Sequence, residues 1–228
     1  MNRIYLLLLF LMLCTPFPTK AQVLMGLLFG DKLNSEKIEF GLVVGLNYSN
    51  LTHQPDTKLI SGFKFGSNFY FKLDERKYIH LELLAFNDHG AKNIPVYSLG
   101  DEDLDRVLTD AEVTRRLRYA GARILFRYRI FNYFFAELGP AFSLLPNAFD
   151  EFKKTNGDHE IIVKNNITSD YNRIDIGPVA VLSYKLLKGE GMSLYIGYYH
   201  GLTNTEKKSN IKNSSFQLGV DFPIGKSK

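Results

Sequence analysis

The chain has 228 residues, a mean hydropathy of −0.12 and a formal net charge of +4, which suits one domain of modest size. Beyond the N-terminus it has no run of about 18 or more apolar residues, which argues against a helical membrane protein. Its basic residues are scattered and framed by no binding motif, so nucleic acid is not an expected partner.

Residues 1–21 read as a signal peptide. Arg3 supplies the positive start and Tyr5 to Leu13 the apolar centre, while Thr19-Lys20-Ala21 places small residues at the cleavage site before Gln22. Pro16, Pro18 and Lys20 cut the apolar run below spanning length, which disfavours an anchor. The one cysteine, Cys14, would leave with this segment. A lipid attachment there would want a small residue just before it, and Leu11-Met12-Leu13 has none. The mature chain would then hold no disulfide, thiolate metal site or cysteine nucleophile. Residues 22–37 read as a periplasmic N-terminal segment whose apolar start, Val23 to Phe29, maps to no role.

Residues 38–228 are dominated by period-two alternation. It runs through Phe40 to Tyr48, Phe63 to Phe71, Ile79 to Ala85 and Ala120 to Ile130, then Phe134 to Leu144, Ile174 to Tyr184, Leu194 to Leu202 and Phe216 to Ile224. One side of these eight segments carries no Asp, Glu, Lys or Arg, and its only polar residues are Ser67 and His200. The other side holds Lys64, Glu82, Arg123, Arg127, Arg129, Glu137, Asp175 and Asp221 among glycines. A soluble barrel hides its apolar face inside, whereas a membrane barrel turns it outward to hydrocarbon and keeps a polar lumen. With 13 Tyr, 18 Phe and no Trp, any interfacial girdle must be built from Tyr and Phe.

The connections alternate in length. Short turns near Leu73 to Lys77, Ile130 to Tyr133 and Lys185 to Met192 interleave with loops at Asn50 to Lys58, Asn87 to Leu117, Pro146 to Asn172 and Thr203 to Ser214. The expected fold is all-β: an eight-stranded antiparallel transmembrane up-and-down β-barrel of the cell outer membrane, with long extracellular loops and short periplasmic turns.

In the longest loop Asp101, Asp103, Asp105 and Glu112 occupy positions 1, 3, 5 and 12 of a calcium-loop pattern, but Arg106 stands where that pattern needs glycine. A helix through Leu104, Val107 and Leu108, capped by Asp101 to Asp105, fits better. No metal ion or cofactor is expected. Arg115, Arg116 and Arg118, with Lys153, Lys154, Lys207 and Lys208, are either solvated loop charges or partners for lipopolysaccharide phosphates.

His80, His89, His159 and His200 sit in no serine signature and no H-E-x-x-H arrangement, so enzymatic activity is not expected. An eight-strand lumen is just wide enough to be filled by side chains. Lys64, Arg123 and Arg127 are therefore expected to pair with Glu82, Glu137, Asp175 and Asp221 in a network that holds the barrel shut. The alternative is a selective pore lined by the same residues. Inward glycines would leave room for the long basic chains.

Several stretches carry a family resemblance. Phe40-Gly41-Leu42-Val43-Val44-Gly45-Leu46-Asn47-Tyr48-Ser49-Asn50-Leu51 resembles the first strand of PorT-like outer-membrane β-barrel proteins. Leu81-Glu82-Leu83, Tyr119 through Arg127-Tyr128, Glu137-Leu138-Gly139-Pro140, Asp175-Ile176-Gly177 and Gly201-Leu202-Thr203-Asn204 follow in order, so the likeness runs from Phe40 to Ile224. It implies a barrel, and through the namesake a part in type IX protein secretion with secretion-system proteins as partners. Read from the residues alone, the chain is a non-enzymatic outer-membrane barrel acting in envelope structure or surface binding through its loops. A secretion component and a small channel are the alternatives.

Overall fold

The computed structural model describes residues 33–225, apart from 55 and 158. The signal peptide and most of the segment 22–37 lie outside the described residues. Nine strands follow in chain order: β1 (Ile38–Thr52), β2 (Ile60–Lys72), β3 (Lys77–Ile94), β4 (Glu112–Phe131), β5 (Phe134–Asn156), β6 (His159–Asn166), β7 (Ile174–Lys185), β8 (Ser193–His200) and β9 (Lys212–Pro223). One short helix, α1 (Glu102–Val107), lies between β3 and β4.

All pairings are antiparallel, in the order β4-β3-β2-β1-β9-β8-β7-β5-β6, and β4 also pairs with β5. That last pairing closes eight strands into a ring. β6 stands outside it, paired with the upper part of β5 from Phe149↔Asn166 to Asn156↔His159. Where the sequence suggests a loop from Pro146 to Asn172, the chain instead extends β5 and returns as β6. β3 and β4 likewise continue beyond the expected span, through pairs such as Ala91↔Arg115 and Ile94↔Val113.

The alternation turns its apolar side outward: Leu138 and Ile196 are each 62% exposed and Phe216 63%, as a wall facing hydrocarbon requires. Three parities depart from expectation, one of them at Ile224, which is expected outward but lies just past the end of β9 and is buried. Ala85 and Phe86 both face out, because β3 shifts register against β2 and β4 at this point. A bulge adds one residue and so resets which side chains point inward. Phe40, expected outward, is buried. It packs 5.0 Å from Phe69, beneath the segment holding Asn34, whose side chain accepts from the Phe40 amide at 2.7 Å and donates to the Ile224 carbonyl at 2.6 Å.

Short connections lie at the end where β1 starts and β9 finishes. The tightest is Asn132-Tyr133 between β4 and β5, with Asn132 at φ 42°, a conformation asparagine tolerates better than most residues. Short turns are periplasmic in such barrels, so the long connections and β6 form the extracellular crown.

In that crown the rule of the wall reverses. Ala91, Val113, Leu117, Ala148 and Phe152 point inward and join Leu51, Ile94, Leu108, Leu145, Ile167 and Tyr171 in an apolar core. Above the membrane the surroundings are water, so burying apolar groups is again favourable. On β4 the change falls near Tyr119: below it Arg123 and Arg127 point inward, above it Leu117 and Val113 do.

Candidate functional site in the barrel interior

Inward positions on neighbouring strands bring the charged residues together from mid-height down toward the periplasmic end. Glu82 and Arg123 are direct cross-strand partners on β3 and β4, as are Arg127 and Glu137 on β4 and β5. Glu82 meets Lys64 Nζ at 3.0 Å and Arg123 Nη1 at 3.3 Å. Glu137 meets Arg127 Nη1 at 3.4 Å and His80 Nδ1 at 2.6 Å, and accepts from the Ser183 hydroxyl at 3.1 Å. All of these groups are buried. Pairing of this kind offsets the heavy cost of withdrawing charges from water.

The expected partners of Asp175 and Asp221 need correction. Asp221 accepts from the Tyr70 hydroxyl at 2.7 Å, and among the described residues no cation lies within ion-pair distance of it. Asp175 sits higher, opposite Ser143, where Asn213 donates at 2.7 Å and Thr203 at 2.8 Å. Height along the barrel separates Asp175 from the three basic side chains, whereas Asp221 lies near the level of Lys64 and Arg127 and feels their charge from beyond ion-pair distance. Neutral donors make the direct hydrogen bonds to both.

The interior holds members that charge alone does not reveal. Arg123 donates to Gln217 at 2.8 Å, Asn47 donates to Asn87 at 3.0 Å, and Lys64 lies 4.6 Å from the centre of the Tyr195 ring. Higher up, His89 meets Tyr119 and Tyr199 edge-on at 5.7 and 5.6 Å. The signal for His80, Asn47 and Gln217 is in the chain, since each shares the inward parity of its strand. Glycine makes room here for an aromatic ring rather than for Arg and Lys: Gly45 faces Gly219 across β1 and β9, and a Cβ on either would collide with the Tyr195 hydroxyl.

A serine, a histidine and a carboxylate thus meet at Glu137, but not in a catalytic order. Ser183 donates to Glu137 rather than to His80, whose Nε2 faces Glu82 at 3.8 Å. A nucleophilic serine needs its base within hydrogen-bond reach. His200 lies partly exposed beside Tyr198 on β8, and His159 is exposed at the start of β6.

The two ends differ. The apolar core fills the extracellular end and includes a buried bidentate pair, Arg115 to Asp150 at 2.8 and 2.7 Å, with Tyr97 donating to Asp150 at 3.0 Å. Arg115 therefore points inward, while Arg118 stays exposed 5.1 Å from the Phe149 ring, which Lys164 approaches at 5.5 Å. Asp101 caps α1 by accepting from Asp103 and Leu104 at 3.0 and 3.1 Å, and Asp105 accepts from Ser98 and Leu99. The acidic run thus builds a helix start. At the periplasmic end the lumen opens into a cavity of about 390 Å³ lined by Arg127, Arg129, Tyr78 and Phe135 among others.

A closed antiparallel ring with an uncharged exterior and ion pairs within defines an outer-membrane β-barrel. The chain belongs to the family of the outer membrane protein beta-barrel domain, whose model matches residues 21–207, and it is a protein of the outer membrane. Among solved structures it is similar to Ail, the attachment invasion locus protein of Yersinia pestis, at 12% identity and a TM-score of 0.44, covering 82% of this chain and 99% of that one. It is also similar to Neisserial surface protein A, at 11% identity, TM-score 0.42 and 81% and 96% coverage. OprG of Pseudomonas aeruginosa stands at 11% identity, TM-score 0.40 and 83% and 95% coverage. No curated protein sequence matches the chain.

Proposed function

We propose that this protein is a closed, non-enzymatic barrel that acts in envelope structure and surface binding through its extracellular crown. The observation that carries this reading is the apolar core across the extracellular end, in which Leu117, Ala148 and Phe152 are fully buried. Below it, buried ion pairs link side chains of β2 to β5, and Ser183 of β7 and Gln217 of β9 join them by hydrogen bonds, an arrangement that disfavours a wet path for ions. Planar-bilayer recordings on the purified protein test this: no reproducible conductance is expected. A stable ion-selective conductance would overturn the closed reading in favour of a small channel.

The crown's partner in this reading is the lipid around it, including lipopolysaccharide. Arg118 stands just above the outward-facing Ala120, near where the lipid-facing wall gives way to the crown, and Lys164 flanks the same Phe149 ring. Guanidinium and ammonium groups make strong charge-assisted bonds to phosphate. Arg118→Gln with Lys164→Gln should lower retention of lipopolysaccharide by the purified barrel; unchanged retention would remove this partner.

A second reading, a component of type IX secretion, is supported by the PorT-like stretches and by the asymmetry of the lumen, open to the periplasm and stoppered outside. Deleting the gene and measuring secreted cargo distinguishes the two. Loss of cargo favours the secretion component, and unaltered secretion favours the structural and surface role.

A further inference from the structure

The cavity at the periplasmic mouth is a built site rather than a gap between strands. Its floor and one wall come from inward residues at the ends of β2, β4 and β5, namely Tyr70, Arg127, Arg129 and Phe135, with Tyr78 from β3. Arg127 lies 3.9 Å from the centre of the Phe135 ring and 4.4 Å from that of Tyr70. Arg129 lies 5.5 Å from Phe135 and donates to the Tyr78 hydroxyl at 2.7 Å. The rings fix both guanidinium planes.

The charge around the cavity is unbalanced. Of its two carboxylates, Glu39 is held by Lys185 at 2.6 Å and Glu36 is exposed. Lys72, Arg129 and Lys188 line it with no ion pair among the described residues. Arg127, though buried, has one ion pair at 3.4 Å and no hydrogen bond to any described residue. The buried Arg129 Nε has no hydrogen-bond partner among the described residues either. A guanidinium carries five donors in a planar fork that suits two oxygens of one oxyanion. Here two such forks, held by aromatic rings, leave most of their donors unused beside a space large enough for a small molecule.

We infer that the periplasmic mouth binds an oxyanion, a carboxylate or phosphate group, gripped by Arg127 and Arg129 with Lys72 and Lys188 at the rim. The chemistry is the same whether the group belongs to a free periplasmic solute or to the headgroup of an anionic phospholipid. The site does not depend on the closed-barrel reading.

Titration calorimetry of the folded barrel in maltoside micelles, with citrate and inorganic pyrophosphate as probes, tests the inference. Saturable binding that weakens with added salt is expected, and Arg129→Gln should weaken it roughly tenfold or more, the loss of a charge-assisted contact. Lys188→Gln, at the exposed rim, gives a second variant with no bearing on folding. Heat-modifiable gel mobility verifies that each variant is folded. Binding seen in micelles but suppressed in nanodiscs containing phosphatidylglycerol identifies the lipid headgroup as the occupant, whereas binding that persists there identifies a free solute. Absence of saturable binding by either probe to the folded protein, or affinity unchanged in both variants, overturns the site.

Discussion

His80 on β3 and Glu137 on β5 touch at 2.6 Å although their strands are not neighbours, since β4 lies between them in the wall. The contact spans the lumen chord rather than the sheet. Glu137 also takes Arg127 from β4 and Ser183 from β7, so one buried carboxylate ties four strands together from the inside.

Glu137→Ala removes the shared acceptor and leaves a buried guanidinium without its counter-charge. The cost should be about 3 to 5 kcal/mol, as when one partner of a buried ion pair is deleted. The urea midpoint for loss of heat-modifiable mobility should fall clearly. Lys153→Ala breaks only an exposed pair with Glu160 and should change stability by about 0 to 1 kcal/mol. Because His80 and Glu137 act as a unit, His80→Ala combined with Glu137→Ala should cost less than the two separate losses added together.

Leu138 and Ile176 stand on the outer wall. Arginine at either position should cost ~2 to 4 kcal/mol if it lies near mid-membrane, and less toward the interfaces. Recovery of Leu138→Arg and Ile176→Arg from the outer membrane should drop well below that of Thr155→Arg, which lies in the crown. Equal recovery of all three would contradict the lipid-facing assignment.

Phe152 is fully buried at the centre of the crown and packs 5.2 Å from Tyr97. Phe152→Ala should destabilise the crown by ~3 to 5 kcal/mol, the usual range for an emptied aromatic site. Surface protease added to whole cells should then cleave the extracellular connections faster. The transmembrane ring, held by separate contacts, should keep its heat-modifiable mobility. Loss of both together would show that crown and ring form one cooperative unit.

Asp105 anchors the segment before α1. Its carboxyl is held below the usual aspartate range, first by the Ser98 hydroxyl and then by the Leu99 amide. A depressed folded value means that the anchor is fully present above the unfolded pKa of about 3.9 and is lost as pH falls through the lower folded value. Hydrogen exchange at the Leu99 amide should therefore show constant protection, once corrected for intrinsic rate, from neutral pH to about 4 and a loss of it below. Asp105→Asn should remove the pH dependence and leave the amide weakly protected throughout.

Much of this molecule is legible from neighbours along the chain. In a strand, parity alone separates the two faces, so the uncharged outer wall, the inward parity of Lys64, Glu82, Arg123, Arg127 and Glu137, and the ring of eight strands could all be read residue by residue. The capped helix at Asp101 is equally local, because its donors and acceptor lie within three residues.

Pairing was not local. Which inward residue meets which depends on the stagger between strands and on where each side chain stands along the barrel axis. Stagger and height together give Asp175 to Asn213 and Thr203, bring Asp221 to Tyr70, and let His80 reach across β4 to Glu137. The crown was hidden for a related reason. Val113, Leu117 and Tyr119 point inward in the same period as the wall, with Arg115 among them, and no local feature says that water has replaced lipid outside. The same alternation carries opposite meanings on the two sides of the membrane boundary, and only the closed ring with its bulges shows where that boundary falls.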